Sequence, residues 1–317
     1  MLCTVVLAIK NMFVQNFSKI AFKIGPVGPI EVRYYSLLFV CGIVGYYFVT
    51  RFLWKKEKWP MADFDSLVIY LFFGLLIGAR LGEVLFYHPV YYFSHPIEIF
   101  EVWNGGLASH GAAIGVFVAY SIFWFFRRRK ENRLSVKELP MAKRFKFSKY
   151  ADALALAMPL VAGFVRIGNF MNSEVVGRAT DLPWGVIFVQ NGENFARHPV
   201  QIYEGLLCWG IFALLFSLYL KKFKELKAVA AESAGRKSVT HGLKSSENVP
   251  LYKPYFFLFL FIGIYFTGRF LLEFLKEFQI NEPSMWWTAG MTMGQILSII
   301  PIVIALVYFI FFYPKIK

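Results

Sequence analysis

The sequence predicts an all-α polytopic membrane protein with seven transmembrane helices, its N-terminus outside and its C-terminus in the cytoplasm. Three observations carry this. Of the 317 residues 57% are hydrophobic and 19% aromatic, with a mean hydropathy of +0.52, which is too apolar for a soluble chain of this length. Seven apolar runs, roughly 34–54, 66–87, 107–126, 150–170, 201–220, 255–275 and 293–313, each approach the about 20 residues that a helix needs to cross a bilayer. Finally, Lys and Arg alternate from one connection to the next, as they do where basic loops stay in the cytoplasm.

In chain order, residues 1–32 scatter Lys10, Lys19 and Lys23 among apolar residues. No charged region precedes the first apolar run and no small-residue cleavage site follows it, so we read an N-terminal interfacial segment, helical before the Gly25-Pro26-Val27-Gly28-Pro29 turn, rather than a cleaved signal peptide. After span 1 come Lys55, Lys56 and Lys58; residues 88–106 hold no Lys or Arg. The next connection runs from Arg127-Arg128-Arg129-Lys130 to Lys149, and the one after it holds only Arg178 and Arg197. Lys221 to Lys253 form a second basic stretch, the connection 277–292 carries no basic side chain, and the tail ends in Lys315 and Lys317. Residues 127–149 and 221–254 therefore read as basic cytoplasmic loops, the second polar and flexible by composition, within a single membrane-embedded domain, 1–317. The net charge of +14 lies in these blocks beside apolar spans, which fits topology and attraction to anionic lipid, with no nucleic acid as partner. Cys3, Cys41 and Cys208 are scattered and form neither a disulfide framework nor a metal-ligand spacing. No internal repeat points to the two-fold architecture of many transporters.

With this topology every span places polar residues in the outer leaflet: Arg33 and Tyr35 in span 1, Arg80 and Glu83 in span 2, Ser109 and His110 in span 3, Arg166 and Asn169 in span 4. His198, Gln201, Tyr203 and Glu204 open span 5, Tyr265, Arg269 and Glu273 share one face of span 6, and Gln295 opens span 7. Each has a plainer reading. Arg33 and Arg80 suit snorkelling anchors, His110 a packed histidine, and Arg269 with Glu273 an intrahelical ion pair. Gly74, Gly78 and Gly82 with Gly111 and Gly115 are helix-packing faces, Pro159 kinks span 4, and the Trp and Tyr at span ends are interface anchors. Isolated structural polars, however, have no reason to converge on one side of a membrane, where ionisable groups are costly. The stretch Gly163–Arg178, with Arg166, Asn169, Asn172, Glu174 and Arg178 at the end of an apolar segment, is the centre of this convergence. Arginines facing an outer-leaflet cavity suit a phosphate-bearing lipid headgroup, and one histidine among them suits a general base. No H-E-x-x-H, paired-Asp or Cys cluster is present in the sequence, so we expect neither a metal nor another cofactor, and arginine in place of a metal to stabilise a leaving phosphate.

These residues resemble the prolipoprotein diacylglyceryl transferases of bacterial inner membranes. Arg166-Ile-Gly-Asn-Phe-Met-Asn-Ser-Glu-Val-Val-Gly-Arg178 is similar to the family's R-I-G-N-F-x-N-x-E-x-x-G-R. Arg33-Tyr34-Tyr35, Gly78-Ala79-Arg80-Leu81-Gly82 and Gly105-Gly106-Leu107-Ala108-Ser109-His110-Gly111 follow the family's order. So do Pro183-Trp184-Gly185, His198-Pro199-Val200-Gln201-Ile202-Tyr203-Glu204, Tyr265 with Arg269-Phe270 and Glu273, and Met293-Gly294-Gln295.

The resemblance implies transfer of the diacylglyceryl group of phosphatidylglycerol to the lipobox cysteine of a prolipoprotein, with a thioether formed and glycerol 1-phosphate released. The implied partners are phosphatidylglycerol, prolipoprotein signal peptides and membrane lipids. The implied location is the bacterial inner membrane, multi-pass, with the site facing the outer leaflet. The roles it suggests are phosphate binding by Arg166, with Asn169, Glu174 and Gly177 shaping that pocket, and stabilisation of the leaving group by Arg269, oriented by Tyr265 and Glu273. His110 is suggested to remove the thiol proton; Tyr35, Arg80, Gln201 and Glu204 to bind substrate or position the helices. Departures are Ala112 in place of a second glycine, Lys276 where an arginine is common, and Ser36 and Ser173 in place of common glycines. An outer-leaflet phospholipid transporter, another metal-independent headgroup transferase and a non-catalytic lipid-binding scaffold are the competing classes.

Overall fold

The computed structural model describes residues 13–25, 30–102, 106, 108–133, 147–236, 252–277 and 291–315. Among these, seven helices are long and apolar enough to cross a membrane, as the seven runs predict. They are α1 (Tyr34–Lys56), α2 (Met61–Gly82, continued by a π-turn Glu83–Tyr87), α3 (Ser109–Arg133), α4 (Phe147–Met171), α5 (Val200–Arg236), α6 (Phe256–Glu273) and α7 (Met293–Val307, continued by a π-turn Tyr308–Phe312). Their outer faces carry exposed Phe48, Phe72, Phe117, Leu206, Leu271 and Ile300, a surface stable against lipid and not against water. The chain is an integral membrane protein.

Two helices run past their apolar spans. α3 continues through the Arg127–Lys130 block to Arg133 and α5 continues to Arg236, so the first parts of both expected basic loops are helical. The reason lies in the residues: 221–234 lacks glycine and proline and is rich in Lys, Glu and Ala, strong helix formers, with a Lys222–Glu225 pair at 3.2 Å on its surface. Residues 134–146 and 237–251, the rest of those loops, lie outside the described residues, as do the Pro26–Pro29 part of the expected turn and Gly105 and Leu107 of the motif before α3.

The N-terminal segment differs from the expected interfacial helix. Among its described residues are strands β1 (Phe13–Gln15), β2 (Ile20–Ile24) and β3 (Ile30–Arg33). β2 and β3 form an antiparallel ribbon. β1 runs parallel to β4 (Val186–Phe188), which pairs antiparallel with β5 (Ala196–Arg197). Alternation in Ile20-Ala-Phe-Lys-Ile24 favours a strand. Gln15 supplies the specific tie. It is fully buried, and its Nε2 donates to the carbonyls of Phe170 and Met171 at 3.3 Å, in the last turn of α4, where carbonyls have no partner within the helix.

The chain divides into two compact units, one of Met1–Thr50 with Ser148–Lys317 and one of Arg51–Phe147. In the second, α2 and α3 meet through the predicted glycines: a Cβ on Gly78 would sit 2.5 Å from the Gly111 carbonyl oxygen and one on Gly115 2.1 Å from that of Gly74, so the backbones touch. At the other end of that contact Asp63 Oδ1 accepts from Arg127 Nε at 2.8 Å. Trp54, expected as an interface anchor, is instead fully buried against Trp59 and Phe64, with ring centroids 4.8 and 5.4 Å away. In the first unit the small sheet packs Val186 and Phe188 against Phe170 at the end of α4. Asp152 of α4 accepts from the amide of Leu258 at 2.9 Å, capping the N-terminus of α6 from a neighbouring helix.

Candidate active site

Five helix ends of the first unit meet around Glu204. Arg166 reaches it from the last turns of α4, with Nε 2.9 Å from Glu204 Oε2. Lys276, just past α6, places its Nζ 2.8 Å from Glu204 Oε1 and 2.9 Å from Glu273 Oε2. The Tyr265 hydroxyl, on α6, lies close enough to Arg166 to interact with it electrostatically. Gly294 at the start of α7 lies directly against the Glu273 carboxylate, and the ring of Tyr35 at the start of α1 packs on Gly168 of α4. The side chains of Glu204, Lys276 and Glu273 are all less than a tenth exposed. Glu204 Oε2 and Glu273 Oε2 meet their cations at ion-pair distance without an aligned hydrogen-bond donor, so Coulomb attraction rather than direction holds them.

The tail of the motif folds into a turn that presents Glu174. Its amide bonds the Asn169 carbonyl at 3.0 Å and that of Ser173 the Phe170 carbonyl, the bond pattern of a Schellman end to α4, with Ser173 at φ 57°. Glu174 is exposed, and its carboxylate accepts from Asn169 Nδ2 at 3.2 Å and Asn172 Nδ2 at 3.1 Å. Gln201 Nε2 donates to the Glu174 carbonyl. Asn169 Oδ1 in turn accepts from Arg166 at 3.4 Å. Gly177 packs so tightly on His198 that a Cβ would lie 2.5 Å from the histidine carbonyl oxygen; it also bridges to Lys276. Arg178, the last motif residue, donates to the Lys276 carbonyl at 3.0 Å.

Arg269 stands apart. Half-buried on α6, it has no ion pair and no hydrogen bond among the described residues, whereas the two cations Arg166 and Lys276 are matched by Glu204 and Glu273. Among the described residues, the site is thus a neutralised quartet with Arg269, one turn before Glu273 on α6, as a guanidinium without a carboxylate partner and so with charge to offer an anion.

His110 and Arg80 belong to the second unit. His110 is exposed at the start of α3. Arg80, at the end of α2, is 5% exposed and spends its donors on backbone: Nε on the Ile99 carbonyl at 2.9 Å, Nη1 on that of Gly106 at 3.2 Å and Nη2 on that of Glu98. Its guanidinium lies over the Tyr92 ring, 4.8 Å from the centroid. Nearby, the hydrogen bond to Glu98 is the main cause that pushes the Tyr91 hydroxyl above its usual pKa.

Sequence reasoning passed over three residues of the first unit. Lys276 registers there as a departure from a pattern, not as the bridge between two carboxylates. Gln15 carries no signal beyond being polar near an apolar run. Arg197, 6% exposed, ties the Gly177 carbonyl at 3.0 Å to Glu193 and Glu277, both at 2.6 Å; an arginine in a two-residue strand gives no hint of that.

Comparison with known proteins places the chain in a family. The family model described as prolipoprotein diacylglyceryl transferase matches residues 19–234 and 242–311. The chain is 37% identical, over 88% of its length and 90% of the relative's, to a phosphatidylglycerol–prolipoprotein diacylglyceryl transferase of Tolumonas auensis. It is 35% identical to enzymes of the same name from Porphyromonas gingivalis, over 88% of each chain, and Bacteroides fragilis, over 91% of each. Matches of this extent, covering every helix of both units, establish that this chain belongs to the prolipoprotein diacylglyceryl transferase family.

Proposed function

We propose that this protein transfers the sn-1,2-diacylglyceryl group of phosphatidylglycerol to the thiol of the lipobox cysteine of a prolipoprotein, in a bacterial inner membrane and from the outer leaflet. A sulfur–carbon bond forms as the carbon–oxygen bond to phosphate breaks, and glycerol 1-phosphate leaves. The observation that carries the reading is that Arg269, one turn before Glu273 on α6, has no ion pair among the described residues, whereas Arg166, Glu204, Lys276 and Glu273 neutralise one another.

The chemistry asks for such an arrangement. The phosphate diester carries one negative charge, and the departing monoester about two. A cation already compensated by carboxylates gains little from that extra charge, whereas an unmatched guanidinium gains the full interaction, so Arg269 favours the transition state over the bound lipid. Arg166 holds the phosphate in place, its Nε tethered to Glu204 and its remaining donors directed by Asn169 and Tyr265. Glu273 and Lys276 fix the turn of α6 from which Arg269 projects. Glu174, Asn169, Asn172 and Gln201 shape the headgroup pocket, with Gly177 closing its floor and Tyr35 its α1 side. His110 takes the proton of the cysteine thiol, whose ordinary pKa of about 8.5 leaves little thiolate at neutral pH.

The test is mass spectrometry of a lipobox peptide incubated with the purified protein and phosphatidylglycerol. The expected result is a peptide heavier by one diacylglyceryl group on its cysteine. No such gain, under conditions in which an established enzyme of the family reacts, overturns the proposal.

A further inference from the structure

Arg80 has the chemistry of a headgroup ligand but the surroundings of a clamp. Its three donor directions are taken by the carbonyls of Glu98, Ile99 and Gly106, and the Tyr92 ring lies beneath its guanidinium. Gly106 seats the chain on this cluster: its φ is +67°, and a Cβ there would approach Arg80 Nη1, the Tyr92 hydroxyl and Glu83 Cγ at 3.0 to 3.2 Å. Two residues on, the Ala108 amide donates to the Ala79 carbonyl at 2.9 Å. α3 then begins at Ser109-His110, with Gly111 against the backbone of Gly78 and Gly82. The charged groups facing Arg80 are carboxylates whose other contacts are local: Glu83 pairs with His88 at 2.8 Å, and Glu98 accepts from the Tyr91 hydroxyl at 2.7 Å.

We infer that Arg80 is a positioning residue: it fixes the segment that leads into α3 and so holds His110 at the geometry proton removal requires, without touching the lipid. This rests on the role of His110 proposed above. A forked guanidinium satisfies three carbonyls at fixed angles; a lysine ammonium carries the same charge but not that geometry. A phosphate contact tolerates Arg80→Lys far better than a clamp does, and that difference separates the two roles.

The experiment measures kcat, KM for phosphatidylglycerol and the pH–rate profile of the full-length protein in detergent for Arg80→Lys, Arg80→Gln, Tyr92→Leu and His110→Gln. A misplacement of about 1 Å lowers kcat by about 100-fold, so both Arg80 variants should lose roughly that much while KM stays within about twofold. Their residual rate should rise with pH through the thiol range near 8.5, as in His110→Gln, because the reaction then waits for spontaneous thiolate. Combining Arg80→Lys with His110→Gln should add no further loss. Tyr92→Leu, which leaves the charge and removes the supporting ring, should show the same signature more weakly. Retained kcat in Arg80→Lys, with KM raised in Arg80→Gln, overturns the inference in favour of a headgroup contact. A wild-type pH profile in His110→Gln refutes the base assignment alone. The clamp is then judged by hydrogen exchange at the Ala108 amide in Arg80→Lys, where faster exchange upholds it and unchanged exchange overturns it.

Discussion

Lys276 Nζ lies 2.8 Å from Glu204 Oε1, with the two side chains 8% and 5% exposed, where the end of α6 meets the start of α5. Lys276 also pairs with Glu273 at 2.9 Å, so it is the cation shared by two buried carboxylates. Removing one partner of a buried pair leaves the other desolvated and unmatched, which costs about 3–5 kcal/mol. Lys276→Met should therefore unfold at markedly lower temperature in detergent. Lys276→Met combined with Glu204→Gln should cost less than the sum of the two single changes, since the carboxylate that suffered is gone. A Met variant as stable as the wild type refutes the bridge.

Arg166 and Arg269 should separate under the same substitution. Arg269→Gln removes a charge with no partner among the described residues, so stability should change by no more than about 0.5 kcal/mol while transfer falls by about 100- to 1000-fold. Arg166→Gln strands Glu204 Oε2 as well, and should lose both activity and thermal stability. Equal destabilisation by the two changes, measured by thermal unfolding beside the peptide assay, contradicts the division between a structural quartet and a free guanidinium.

How much of this was legible before the fold was known follows from what each residue depends on. The seven spans follow from apolar run length alone, and the observed helices start near the predicted limits, whereas α3 and α5 run on to Arg133 and Arg236 because helix formers continue past the apolar run. The α2–α3 contact was legible in Gly74, Gly78, Gly82, Gly111 and Gly115 because small residues at four-residue spacing say which face is approached. The convergence of Arg166, Glu204 and Glu273 followed from chain direction once span order was assigned. Which cation meets which carboxylate was not legible: Lys276 bridges two glutamates, and Arg80 faces carbonyls, through tertiary contacts 72 and 26 residues away at their farthest, from Glu204 and Gly106. Trp54 looked like an anchor because an interface tryptophan and a packed one share the same sequence position. β1 escaped because three residues pairing with 186–188 leave no periodic pattern, and the alternation of Ile20–Ile24 is too short to distinguish a strand from an interfacial helix.

Ser173 offers a test in which two effects of similar size oppose each other. At φ 57° it occupies a left-handed position at the end of α4, where an L side chain costs about 1–2 kcal/mol relative to glycine. Its hydroxyl donates to Gln15 Oε1 at 2.9 Å in a buried setting, worth about 1 kcal/mol directly, with a further cost of about 1–3 kcal/mol for the acceptor left unpaired. The hydrogen bond outweighs the strain. Ser173→Gly should lower stability by about 1 kcal/mol and Ser173→Ala by more, since alanine keeps the strain and loses the bond. A glycine variant more stable than the wild type would show that the strain is the larger effect.

The glycine contact between α2 and α3 can be tested against a glycine that touches nothing. A Cβ on Gly115 would lie 2.1 Å from the Gly74 carbonyl oxygen and one on Gly111 2.3 Å from that of Gly78. Both obstacles are backbone, so the helices must separate to admit a methyl group, and overpacking of this kind costs about 1–3 kcal/mol. A Cβ on Gly210 of α5 would meet nothing within 4 Å, so Gly210→Ala should be neutral or slightly stabilising through helix propensity alone. Gly115→Ala and Gly111→Ala should each lower the unfolding temperature in detergent, and Gly111→Ala should also reduce transfer, because the displaced turn of α3 carries His110. Equal unfolding temperatures for Gly115→Ala and Gly210→Ala would mean that α2 and α3 do not meet backbone to backbone.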